Sequence, residues 1–213
     1  LGRLPLRGSG SIRAHKYCMK KTIWCVGCSF TEGIEENQFT GWPTGLQERT
    51  RSTVVNLGLG GSGIEYHSWC VDQILQVRRP RDIIICCMTD RGRFTTWDNW
   101  DITTRDQEPP VDCITYSSGS ARIRKLYYGH VRDEHMRWQH KINSQFILEH
   151  SDFVFKHHNM SSKSTPLPCY QSALSDAEWR RSCIDEGNHL SAEAHRLEGH
   201  WVWDQLVASG VAV

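Results

Sequence analysis

The sequence predicts an α/β fold, a three-layer α/β/α sandwich built on a central parallel sheet. Three observations lead there. Strand-like segments alternate along the chain with segments of helical periodicity. The longest apolar run, Ile83-Ile-Ile-Cys-Cys-Met88, shows no alternation, as a strand buried on both faces requires. The first two strand-like segments end in glycine-containing turns, and parallel sheets gather their ligands at such strand ends.

Taken in order, residues 22–27 form the first apolar run and the first expected strand. A short helix is expected within 39–49, with Trp42-Pro43 at its start, where proline costs no hydrogen bond. Residues 53–57 read as the second strand, stopped by the glycine cluster of 58–63. Ile64, Trp69, Val71, Ile74, Leu75 and Val77 recur at helical spacing and predict an amphipathic helix over 64–78. The third strand spans 82–89. Residues 90–118 are polar, contain Pro109-Pro110 and read as a long excursion with little regular structure. A helical region follows over 119–149, broken near Gly129, then a fourth strand over 152–156. A Ser/Pro-rich loop (159–170), a short helix near 173–182 and a last helix over 191–208 complete the chain.

At 213 residues the chain suits one well-buried domain. Its formal net charge of +1 sets up no field that would draw nucleic acid or an anionic membrane, so neither is expected as a partner. No apolar run approaches the roughly 20 residues of a membrane span. The nine cysteines are odd in number, and Cys25, Cys86 and Cys87 sit inside apolar runs, so they are read as core thiols of a reducing compartment. Residues 1–18 are rich in Gly and Arg and lack the apolar centre of a signal peptide. They are expected to be an unstructured leader or extension, leaving 19–213 as the domain and the cytoplasm as its place.

Chemistry concentrates in three places. Gly27-Cys28-Ser29-Phe30-Thr31-Glu32-Gly33 follows the first strand, and a serine between glycines on a tight turn can aim its hydroxyl into a cleft. Asn56-Leu57-Gly58-Leu59-Gly60-Gly61 follows the second strand. Asp185-Glu186-Gly187-Asn188-His189-Leu190-Ser191 lies near the far end of the chain and leads into the last helix. A serine at one end with an acid and a histidine at the other are the parts of a hydrolytic triad. Ser191 is suited to cap the last helix, with Glu193 adding charge at its N-terminus.

These blocks resemble, in order, three of the conserved blocks of the SGNH (GDSL-type) hydrolases. The likeness is to divergent members such as those of phages and environmental bacteria, and spans roughly residues 22–205. It implies a flavodoxin-like sheet order and a serine esterase that needs no cofactor or metal. Ser29 would be the nucleophile and His189 the base. The family's Asp-x-x-His spacing points to Glu186 as the acid, with Asp185 one residue earlier as the other candidate. The oxyanion hole would use the backbone N–H groups of Ser29 and Gly61. The implied substrate is a small acyl ester or an acylated carbohydrate.

The chain departs from the family pattern in two blocks. Cys28 stands where the first block usually has Asp. The third block's Gly-x-Asn-Asp is replaced by Met88-Thr89-Asp90-Arg91-Gly92-Arg93. Its side-chain oxyanion donor therefore falls to Thr89, to Arg91 or to an asparagine elsewhere; losing such a donor typically costs about 3 kcal/mol of transition-state stabilisation. Arg91 and Arg93 are placed to grip a carboxylate or phosphate, unless they pair with Asp90 or Asp98. Trp97 and Trp100 suit a wall against a sugar or acyl group, or lid packing.

Trp24-Cys25-Val26-Gly27-Cys28 imitates a Trp-Cys-x-x-Cys redox site, but Cys25 falls inside the strand pattern rather than at a helix N-terminus. His157-His158 and the series His189, His195, His200 are the best metal-ligand candidates among 11 histidines, yet no His-Glu-x-x-His occurs. The main alternative to an esterase is an SGNH-like binding or structural module, for instance on a phage particle. A further one is an acyltransferase using the same triad.

Overall fold

The computed structural model describes residues 20–33, 41–89, 93–95, 113–115, 133–158, 167–184 and 189–211, with the backbone alone at 93–95, 113–115 and 133–136. The expected leader over 1–18 and the helical stretch 119–132 lie outside the described residues. Four parallel strands make the central sheet: β1 (Thr22–Gly27), β2 (Thr53–Gly58), β3 (Ile83–Met88) and β6 (Phe153–Lys156), in the order β2-β1-β3-β6. The described helices are α1 (Ser29–Glu32), α2 (Trp42–Arg49), α3 (Ile64–Val77), α4 (Asp133–His150), α5 (Asp176–Ser182) and α6 (Ala192–Ala208).

The sheet is covered on both faces, which explains the unbroken apolar run of β3. Ile84, Cys86 and Met88 pack with Val26 and Val154 against Ile64, Val71 and Ile74 of α3 and Ile147 of α4. Ile83, Ile85 and Cys87 point the other way, with Ile23, Cys25 and Phe155, and meet Trp42 and Leu46 of α2 and Val202 and Leu206 of α6. Successive strand side chains point to opposite faces, so a strand between two helical layers must be apolar at every position. The expected three-layer α/β/α sandwich is the observed architecture.

Local differences from the sequence reading each have a physical reason. The turn after β1 contains one helical turn, α1, too short to leave a periodic signal. The excursion read as irregular over 90–118 holds an antiparallel ribbon, β4 (Arg93–Thr95) with β5 (Cys113–Thr115). Three-residue strands show too little alternation to be recognised. The helix expected near 173–182 is split into a 3-10 turn (Gln171–Ala173) and α5, because Ser175 and Glu178 form a capping box that starts a new helix. Ser191 caps α6 as expected, accepting from the Ala194 N–H at 3.3 Å. Glu193 stands in the first turn as expected, and it also pairs with Arg196 on the same helix. None of the described helices is long and apolar enough to cross a membrane.

Two features tie this frame together. Helices α2 and α6 cross with backbones in contact: a Cβ on Gly45 would overlap the Arg196 carbonyl, and one on Gly199 would overlap the Trp42 carbonyl. Below the sheet, buried Asp82 joins the start of β1 to the start of β3. Its carboxylate accepts from the backbone N–H of Thr22 and of Arg79, both at 2.9 Å, and from the Arg79 guanidinium. Burial pulls the Asp82 pKa up, but the N–H groups of Arg79 and Thr22 and the Arg79 charge outweigh it and hold the carboxyl below its usual value.

Gly199→Ala is therefore expected to push α2 and α6 apart and cost about 3 kcal/mol in urea unfolding, whereas exposed Val207→Ala on the same helix should cost no more than about 0.5 kcal/mol. For Asp82 the folded-state pKa is depressed, so its stabilisation is present above the unfolded value near 4 and is lost as pH falls through the folded value. Asp82→Asn should cost about 2 kcal/mol at pH 7. The gap to the parent should close as unfolding is measured at progressively lower pH.

Candidate active site

The carboxyl ends of β1, β2, β3 and β6 lie along one edge of the sheet. The chain leaves β1 toward β2 on one side and later places β3 on the other, which opens a crevice at the end of β1. Ser29 sits there as the first residue of α1. Its turn is closed by hydrogen bonds from Thr31 and Glu32 N–H to the Cys28 carbonyl and from Gly33 N–H to the Ser29 carbonyl. The space is too tight for side chains: a Cβ on Gly27 would overlap Thr31 Oγ1, and one on Gly58 would overlap the Glu32 backbone.

Ser29 Oγ lies 3.2 Å from His189 Nε2. The serine is buried at 6% exposure and the histidine is half-buried, so the hydrogen bond forms at the rim of the core. His189 comes from a loop whose base is a β-bridge between Cys183 and Leu190. The Ile184 N–H donates to the His189 carbonyl at 2.8 Å, and the Ser191 N–H to the Ser182 carbonyl at 3.0 Å. The His189 ring also lies 5.2 Å from the ring of Phe30.

The turn after β2 is stitched to the serine turn by two side chains whose roles the sequence did not disclose. Asn56 Nδ2 donates to the Thr31 carbonyl at 2.9 Å, while its Oδ1 accepts from the Gly58 N–H at 2.8 Å. Glu32 Oε2 accepts from the Gly60 N–H at 2.6 Å. Half-burial raises the Glu32 pKa, and the Gly60 hydrogen bond partly opposes that. Gly61 follows with φ of 75°, the left-handed region that favours glycine. Ser62 Oγ donates to the Gly27 carbonyl at 3.4 Å and lies 3.2 Å from His67 Nε2. Asn56 sits two residues before Gly58, a spacing that signals a side chain bonding its own turn. Nothing local marks Glu32.

Thr89 directly follows β3, is 3% exposed, and its Oγ1 has no hydrogen-bond partner among the described residues. A buried hydroxyl without a partner is costly in a finished core and is suited to a donor awaiting a ligand. Asp185, Glu186, Arg91 and Trp97 lie outside the described residues. Arg93 opens β4, and only its backbone is described.

The redox reading does not survive. Cys25 lies within β1 and Cys28 precedes α1, both fully buried and unbridged. Burial pushes the Cys25 thiol well up, the opposite of what a reactive thiolate requires. Of the histidines considered as metal ligands, His157 and His195 turn to Glu198, and His200 pairs with Glu48. Among the described residues, no three His, Cys, Asp or Glu side chains converge in a way that could hold a metal ion.

No family model and no curated protein matches the chain. Among solved structures it is similar to a putative lipolytic protein of the G-D-S-L family from Desulfitobacterium hafniense, with 16% identity over 86% of this chain and 98% of that one and a TM-score of 0.43. It is also similar to a member of the lipolytic protein G-D-S-L family from Veillonella parvula, with 12% identity over 86% and 97% of the two chains and a TM-score of 0.49. Likenesses this loose assign no residue a role, and the site rests on its own geometry.

Because Glu32 holds the Gly60–Gly61 turn against the serine turn, Glu32→Ala is expected to slow reaction of Ser29 with a serine-directed phosphonate by about tenfold, a loss of about 1.4 kcal/mol. Glu32→Gln keeps a carbonyl acceptor and should stay within about threefold of the parent. Stopped-time labelling of protein with a verified melting temperature measures both.

Proposed function

We propose that this chain is a serine ester hydrolase that removes a small acyl group through an acyl-enzyme. The observation that carries the proposal is the 3.2 Å approach of Ser29 Oγ to His189 Nε2 at the carboxyl edge of a parallel sheet. In a structure without substrate this is already within hydrogen-bond reach of a nucleophile and its base.

Ser29 Oγ attacks the acyl carbonyl carbon while His189 Nε2 takes the hydroxyl proton. The negative charge developing on the carbonyl oxygen is met by the N–H groups of Ser29 and Gly61 and by the Thr89 hydroxyl, whose unpartnered burial supports that role. The tetrahedral intermediate collapses, the C–O bond to the leaving alcohol breaks, and His189 returns the proton to that alcohol. Water, deprotonated by His189, then attacks the acyl carbon; the bond from that carbon to Ser29 Oγ breaks, His189 returns the proton to Oγ, and the carboxylic acid leaves. Glu186 or Asp185 orients the His189 ring and stabilises it when protonated. Arg91, Arg93 and Trp97 are assigned to the substrate side. The substrate class is an acetyl group on a carbohydrate or a short-chain ester. No cofactor enters these steps.

A fluorophosphonate probe together with acetyl and butyryl nitrophenyl esters tests the reading. The parent should be labelled and should hydrolyse the esters. Ser29→Ala should abolish labelling, and Ser29→Ala and His189→Ala should each lower turnover by about 10⁴-fold or more. A folded parent inert to probe and esters overturns the esterase and leaves a binding or structural module. Transfer of the acyl group to an added acceptor sugar in preference to water would reassign the same triad to acyl transfer.

A further inference from the structure

Directly behind the Ser29–His189 pair lies a second polar cluster that the hydrolytic steps do not use. Glu198, on α6, is fully buried. Its Oε1 lies 2.6 Å from His157 Nδ1 and its Oε2 lies 3.1 Å from His195 Nδ1, so each carboxylate oxygen faces one imidazole. His157 and His195 are buried as well, at 0% and 1% exposure. His157 follows β6 at its carboxyl end, and His195 lies one turn before Glu198 on α6. Cys87 of β3 and Tyr170 also face the cluster, and their pKa values are raised by burial first and by the Glu198 charge second. Trp179 of α5 closes it, 5.3 Å from the His157 ring.

A carboxylate is taken out of water only at a high cost unless partners surround it. Burial alone would raise the Glu198 pKa, but the charge and hydrogen bond of His157, then those of His195, outweigh it and hold the carboxyl below its usual value. Such a cluster is weak evidence for added stability, since apolar residues of similar volume often do as well. What it supplies is direction. Two carboxylate oxygens in one plane fix the positions of two imidazole rings.

One of those rings reaches the residue beside Ser29. The His157 ring stacks on Phe30 with centroids 4.0 Å apart and planes 14° from parallel. Phe30 is the residue after Ser29, and its ring also borders His189. The other end of the cluster belongs to α6, whose cap Ser191 lies two residues beyond His189. Phe30, His157 and Glu198 thus connect the element carrying the serine to the helix that follows the histidine.

We propose that Glu198 is a positioning residue, which through His157 and Phe30 sets the approach of Ser29 to His189. The inference rests on the reading of Ser29 as nucleophile and His189 as base. Glu198→Gln tests it with almost no change of volume. An amide offers a single carbonyl oxygen, so one imidazole must turn or move its proton. For His195 that proton would go to Nε2, which is buried without a hydrogen-bond partner among the described residues.

The experiment compares parent and Glu198→Gln by fluorophosphonate labelling rate, by kcat and KM for nitrophenyl acetate, and by the imidazole resonances of His189 in protein with ¹⁵N-labelled histidine. Melting temperature shows that each protein is folded. The proposal expects the labelling rate and kcat to fall about 10–100-fold, KM to stay within about twofold, and the His189 resonances to move. A folded Glu198→Gln with parental rates and parental His189 resonances overturns it and leaves the cluster as core packing. If Glu198→Gln does not fold, Phe30→Leu takes its place, with the cluster intact and the stack removed; about tenfold slower labelling supports the proposal and parental labelling overturns it. A parent that never labels refutes the esterase instead, and the His189 resonances then decide the positioning role alone.

Discussion

The placement of β1 between β2 and β3 fixes where the candidate site lies. A parallel strand paired on both edges and covered on both faces leaves its chain one exit, over the carboxyl edge of the sheet. There the neighbouring connections run to opposite sides and leave a crevice. Ser29 enters it two residues after the last residue of β1. Ser29 thus follows directly on a strand held on both edges and both faces.

Holding the serine turn requires contacts of two kinds. Approaches of backbone at Gly41 and Gly58 and of the Thr31 side chain at Gly27, too close for any residue but glycine, clamp it sterically. Hydrogen bonds from Asn56 and to Glu32 then align it with the Gly58–Gly61 turn. The steric contacts set where the turn lies, and the polar ones set how the two turns face each other. The proposed oxyanion role requires both, because the value of such a donor falls steeply with misdirection of the N–H.

The histidine side is organised differently. Its loop has a base, the Cys183–Leu190 bridge, and a following helix capped by Ser191. Helix α6 is locked to α2 by the Gly45–Gly199 crossing and linked to the end of β6 by the buried Glu198. A polar cluster inside an apolar layer resists sliding, because a small displacement strands a buried charge. An apolar interface tolerates the same displacement more readily.

Residue pattern alone determined the layered α/β class, most strand positions and the cap of α6, and it marked Ser29 and His189 as candidates. Each of these depends on short-range chemistry: alternation or its absence, a capping side chain, a serine set among glycines. Tertiary structure alone decided that Ser29 and His189 meet, since they lie 160 residues apart and no local preference encodes that distance. It alone assigned Asn56 and Glu32 to bracing, and turned His157 and His195 from candidate metal ligands into partners of a buried carboxylate. Such roles depend on what a side chain faces after packing, and neither periodicity nor composition records that. The same holds for Cys25 and Cys28, whose spacing imitates a redox pair until packing buries both; burial pushes the Cys25 thiol well up, away from the thiolate such a pair needs.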